Sequence, residues 1–259
     1  RLGSDCVSLI ARALPIGVSA GGLLPLRAIV NSARQDKPIG GTWLGLTGLQ
    51  RHLAGDTPAG DDWVDQSRLF GRDPRLGIGL DSASRTAQEG LIYTTEGFAF
   101  SPARSGFLDT GFLVGIEGMG VDLLPAQGLL RLGGDGRSAR YRRVEFRAPM
   151  LSAAVVSGGR FRLLLQTPAL FEAGWLPDRV TRQGNDYVLQ GDGFSARLAC
   201  AANGRREVAS GWDLHRWQPK PAQSIAPAGS VYWFDRFEGD AGKLAALVQS
   251  GLWVDNLDN

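Results

Sequence analysis

Helical patterns near both ends, with strand-like segments between them, predict an α+β fold. From residue 76 onward, short apolar runs alternate with glycine-rich breaks, as in a chain of many short strands. Helix and strand signals do not alternate regularly, so a doubly wound parallel sheet is not expected. Glycine supplies 36 of the 259 residues, about twice its usual share.

Taken in order, residues 5–14 place Val7, Leu9, Ile10 and Leu14 before Pro15, which predicts a short helix. Residues 17–25 read as loop and residues 26–32 as a second helix. Residues 43–53 carry Trp43, Leu44, Leu46, Leu49 and Leu53 at amphipathic spacing, despite Gly45 and Gly48. Residues 55–62 form a polar loop. Strands are expected at 90–95, 97–100, 111–117, 128–132, 140–146, 150–157 and 161–167. Gly184-Asn185 lies between strands at 180–181 and 187–190. Asn203-Gly204, a strong hairpin signal, lies between strands at 194–201 and 207–209. A last strand at 230–235 leads into a helix at 241–250. Composition breaks at 147–149, which divides the chain into 1–147 and 148–259.

Composition narrows the function classes. The chain is 43% apolar, enough for a core, and carries a net charge of +2. Only Lys37, Lys220 and Lys243 are lysines among the 28 cationic side chains. No run approaches the roughly 18 apolar residues of a membrane span, and no signal-peptide pattern opens the chain. Cys6 and Cys200 are too few for a disulfide framework and read as buried thiols in a reducing compartment. His52 and His215 are too few for a structural metal site. Neither a metal nor a cofactor is expected.

Three motifs compete with plain loops. Gly17-Val18-Ser19-Ala20-Gly21 matches a hydrolase nucleophile elbow, with His215 as formal base. Too few residues precede it for the usual strands, and Gly21, Gly22 and Pro25 would break the helix that must follow. Gly60-Asp61-Asp62 has the carboxylates of a metal-binding turn but no flanking apolar strands, and reads as a solvated loop. Residues 128–147, GLLRLGGDGRSARYRRVEFR, are different. Six arginines (131, 137, 140, 142, 143 and 147) face only Asp135 and Glu145 over residues 131–147. Glycines permit close approach to a phosphate, and guanidinium groups grip phosphates or stack on bases. On a strand, Arg140 and Arg142 share one face, with Tyr141 and Arg143 on the other. The stretch fits anion binding and a solvated basic edge equally. Residues 211–234 set Trp212, Trp217, Tyr232 and Trp233 near Arg216 and Lys220. Aromatics beside cations suit unpaired bases, whereas Tyr232 and Trp233 in an apolar strand read as core.

The segments RLGIGLD (75–81), RTAQEG (85–90) and LIY (91–93) resemble the signature of the third subunit of the type III-B CRISPR (Cmr) effector complex, a RAMP-superfamily family. The same order continues with LRLGGDGR (130–137), GWLP (174–177), GWD (211–213), PKP (219–221) and PAGSVY (227–232). The stretch from Trp43 to Phe70 suits the segment before the signature. The resemblance spans about residues 43–253.

It implies two ferredoxin-like (RRM-type) modules with long insertions, at 1–147 and 148–259. It also implies a non-catalytic, cytoplasmic ribonucleoprotein subunit in antiviral defence. That subunit would bind the 5′ tag of CRISPR RNA and dock on the large polymerase-like subunit and the backbone subunits. The RNA-binding residues expected are Gly133, Gly134, Gly136, Arg137, Arg140 and Arg142, then Arg85 and Thr86, then Arg216 and Lys220. The family's opening Leu-Glu-Pro-like and Phe-Phe-Arg-like segments and its closing Gly-rich loop are not visible, so both termini are expected to be missing. Rival readings are a repeat-RNA endonuclease using His52 or His215, and a hydrolase using Ser19.

Overall fold

A computed structural model describes residues 9–14, 16, 22–30, 40–100, 110–116, 118–120, 123–133, 137–146 and 156–252. Those between 37 and 150 form one compact unit; those between 7 and 36 and between 151 and 259 form a second.

The first unit is built from two-stranded ribbons. Strand β3 (Thr42–Leu44) pairs antiparallel with β4 (Trp63–Asp65), and helix α1 (Leu46–Ala54) lies between them. The predicted helix at 43–53 thus begins later, because Thr42–Leu44 is taken by the β4 ladder. Strands β5 (Gly71–Leu80) and β6 (Ala87–Ala99) form a long antiparallel hairpin. It unites the strands expected at 90–95 and 97–100. Its register shifts between Ile78 and Leu80, where β6 carries extra residues and Gly90 takes a φ of 78°. Strands β7 (Gln127–Arg131) and β8 (Ser138–Arg142) form a third ribbon. No strand forms at 111–116. Phe112 instead packs edge-on against Phe100 (5.1 Å between centroids).

The second unit holds the buried apolar core found among the described residues. Its sheet runs in the order β11 (Val180–Gln183), β12 (Asp186–Gly191), β13 (Phe194–Ala202), β18 (Val231–Gly239), β9 (Phe161–Leu164), with every neighbour antiparallel. Gly184, with φ 61°, turns β11 into β12 as the Gly184-Asn185 signal predicts. Helix α2 (Ala241–Ser250) buries Leu244 and Leu247, which join Leu189, Leu198, Phe234 and Tyr232 in one cluster. Asp240 caps the helix by accepting from Gly242 N–H at 2.7 Å. A small sheet orders β10 (Ala169–Leu170), β17 (Gln223–Ala226) and β14 (Glu207–Ala209). A short hairpin joins β15 (Trp212–Asp213) to β16 (Gln218–Pro219).

Three expectations are corrected. Residues 5–14 and 26–32 were expected as helices; their described parts form paired strands, β1 (Leu9–Arg12) and β2 (Arg27–Val30). The branched Ile29 and Val30 favour the extended chain, and Leu26 N–H donates to Ala199 O at 2.9 Å beside β13. Asn203-Gly204 does not close a hairpin, since β13 pairs with β12 and β18 while β14 pairs with β17. The strand expected at 150–157 lies outside the described residues except Val156 and Ser157.

Architecture is therefore mixed, with antiparallel strands in small sheets and two helices among the described residues. None of these helices is long and apolar enough to cross a membrane.

Candidate nucleic-acid interface

The β7–β8 ribbon sets its arginines by register. Arg131 faces Ser138, Leu129 faces Arg140 and Gln127 faces Arg142. These are same-face pairs, so Arg131, Arg140 and Arg142 stand on one exposed side. None of the three has an acidic partner among the described residues. On the opposite side Tyr141 lies over Gly128, where a Cβ would sit 2.8 Å from the ring. The ribbon thus divides into a guanidinium face and a packed face. Such a strip suits the phosphates of an unpaired strand, because Arg presents a planar fork of donors and is weakly hydrated.

Arg137 does not join that face. Leu132 N–H donates to Arg137 O at 3.2 Å, closing the loop between the strands. The half-buried Arg137 guanidinium covers Gly97 of β6, within 1.8 Å of where a Cβ would stand. Gly133 takes the positive φ of a turn, 87°; Gly134 and Gly136 lie outside the described residues. Arg143, exposed like its neighbours, donates to Leu124 O at 2.5 Å.

Arg85 and Thr86 sit at the far end of the β5–β6 hairpin from Arg137. The turn is tied at its neck by Asp81 N–H to Thr86 O (2.9 Å) and Arg85 N–H to Asp81 O (2.8 Å). The Asp81 carboxylate accepts from Ser84 N–H (2.7 Å), Ser84 Oγ–H (2.9 Å) and Ala83 N–H (3.0 Å). The Ser84 N–H bond leads the causes that hold the Asp81 carboxyl below its ordinary range. Thr86 Oγ1 is paired with Ser84 Oγ at 2.8 Å, so its hydroxyl serves the turn. Arg85 has φ 57°, a conformation most side chains avoid, and projects into solvent.

Arg216 and Lys220 belong to the β15–β16 hairpin of the second unit. Asp213 Oδ1 accepts from His215 N–H (2.9 Å) and Arg216 N–H (3.0 Å). Lys220 N–H donates to Gly211 O at 2.8 Å. Trp217, 74% exposed with φ 52°, meets Trp212 edge to face at 6.2 Å. The predicted residues thus fall into separate places: Arg140 with Arg142, Arg85 with Thr86, Arg137 alone on β6, and Arg216 with Lys220.

The three signature segments and the five that follow them stand in one order over residues 75–232. A family model described as CRISPR-associated protein (Cas_Cmr3) matches residues 7–253. The chain belongs to the Cmr3 family. It is thus a third-subunit relative of the type III-B CRISPR Cmr complex. No curated protein matches the chain significantly.

Within this Cmr3-family chain, the GWLP and PAGSVY segments build architecture. Tyr232 is fully buried and donates its hydroxyl to Trp175 O at 2.6 Å; Asn203 Nδ2 donates to the same carbonyl at 3.2 Å. Burial pushes the Tyr232 phenol up to about 12. Tyr232 is core, as its apolar strand predicts.

The remaining motifs also resolve. Asp62 is 8% exposed, not solvated. It accepts from Arg51 Nη1 (2.9 Å) and Ala59 N–H (2.7 Å), which makes it a structural anchor. No group of three potential metal ligands occurs among the described residues. Residues 17–21, with Ser19, lie outside them, as does Cys6. Cys200 is buried, and burial raises its thiol pKa. Arg131 stands in the basic stretch but not among the expected RNA-binding residues; only the register across the turn sets it on the face of Arg140 and Arg142.

Proposed function

We propose that this Cmr3-family subunit binds the 5′ tag of CRISPR RNA, gripping phosphates with Arg131, Arg140 and Arg142, and docks on the large polymerase-like subunit. The observation that carries the reading is the strip of three exposed guanidinium groups on one ribbon face. Family membership supports this choice of partners. Leu76, Ile78 and Ile92, all exposed on the β5–β6 hairpin, support the docking part, since contiguous exposed apolar residues suit a protein partner. The antiparallel sheet of the second unit, covered by α2, supports reading that unit as a ferredoxin-like module of the RAMP type. The subunit works in the cytoplasm by holding RNA, not by cutting it.

Fluorescence anisotropy with tagged CRISPR RNA and with the tag scrambled, at several salt concentrations, tests the reading. The Arg140→Gln/Arg142→Gln double variant should bind more weakly. Its log K against log salt slope should flatten by about 1.4, or roughly 0.7 per lost phosphate contact. An unchanged slope would overturn the phosphate assignment. Cleavage of repeat RNA that disappears in His215→Ala would overturn the non-catalytic role.

A further inference from the structure

The β5–β6 hairpin has a face floored by glycine. Gly77 stands opposite Tyr93, and a Cβ on Gly77 would lie 2.4 Å from the Tyr93 ring. The ring therefore lies across the neighbouring strand's backbone. Four residues along β6, on the same face, Gly97 is covered by the Arg137 guanidinium. The two planes are separated by about 14 Å of strand, at roughly 3.4 Å per residue. Between them lie Thr95 and Arg75, and Arg75 holds Asp73 through Nε (2.9 Å) and Nη2 (2.8 Å). The carboxylate on this face is thus neutralised.

An aromatic laid over a cross-strand glycine shields that backbone, and this alone accounts for many such pairs. The chain allows a comparison. Phe194 covers Gly191 in the same way but is 5% exposed and belongs to the core. Tyr141 covers Gly128 and is half-buried. Tyr93 is 52% exposed: one side of its ring rests on the backbone and the other meets water.

We infer that this glycine-floored face is a stacking track for two unpaired RNA bases, one on the Tyr93 ring and one on the Arg137 guanidinium. The assignment rests on the RNA-binding reading above and adds where bases, as distinct from phosphates, are held. Stacked neighbouring bases rise only about 3.4 Å per step. Two planes some four times farther apart must take bases that are splayed and not consecutive, the form in which single strands are read. Arg137 acts here as a plane, separate from the phosphate strip.

The test uses the full chain and single-stranded tag RNAs, each with one 2-aminopurine at a successive position, whose emission falls on stacking. Tyr93→Leu keeps an apolar cover on Gly77 but removes the ring. It should restore emission at one position and weaken binding about 5- to 150-fold, with the salt slope unchanged. Arg137→Lys keeps the charge and loses the plane; it should restore emission at a second position, not adjacent to the first. Tyr93→Phe should behave as wild type. Emission at every position unaltered by Tyr93→Leu and Arg137→Lys would overturn the stacking track. If Arg140→Gln/Arg142→Gln still flattened the salt slope in that case, the phosphate strip would stand without it. A wild-type chain that binds none of these RNAs would overturn both.

Discussion

At the scale of single residues, charge placement separates groups that hold the fold from groups left free. Arg197 and Asp235 face each other across β13 and β18 and bond twice, at 2.8 and 2.7 Å. The Arg197 hydrogen bond leads the causes that keep the Asp235 carboxyl below its ordinary range. A carboxylate whose folded pKa is depressed contributes stability that is present above its unfolded pKa, about 3.9. That stability is lost as pH falls through the folded value. Asp235→Asn should therefore lower stability at pH 7 by about 1–3 kcal/mol. It should also shrink the difference between urea midpoints at pH 7 and pH 3; an equal pH response would show that the pair does not carry the acid sensitivity. The shared face of Arg140 and Arg142 was legible because strand parity is fixed. Arg137 was not, because a loop, not parity, turns its side chain onto Gly97.

Among the elements, legibility followed length and capping. Helix α2 was readable to its ends, since Leu244 and Leu247 share one face and Asp240 stands at its start. Asp240→Ala should cost about 1 kcal/mol, read as a lower urea midpoint with the slope unchanged. Strands β1 and β2 were misread because each pairs over only four residues, too few for a strand period to be told from a helical one. The Asn203-Gly204 signal failed for another reason. The Asn203 amide bonds Trp175 O and the Tyr232 hydroxyl, so tertiary contacts override its local turn preference. The signature motif RLGIGLD was legible only as a resemblance. Its physical basis emerges from Gly77 and Gly79, which lie under Tyr93 and Leu91.

On the scale of the whole molecule, the two units differ in how they are held. The core cluster lies in the second unit, whereas no residue of the β5–β6 and β7–β8 ribbons is fully buried. Amides of β13 and β18 should exchange only through global opening. Those of β7 and β8 should exchange orders of magnitude faster, as deuterium uptake followed by mass spectrometry would show. Equal protection in both units would contradict the division. The composition pointed to a core, but its confinement among the described residues to one unit was not legible, because apolar residues such as Leu76, Ile78 and Ile92 look the same in sequence whether buried or exposed. Ribbons that bury little by themselves gain most of their apolar contact when something else covers them. Association with RNA or a protein partner will then resemble a folding step in the calorimeter. Its heat will change steeply with temperature, giving a negative heat-capacity change larger than rigid surfaces of the same area would produce.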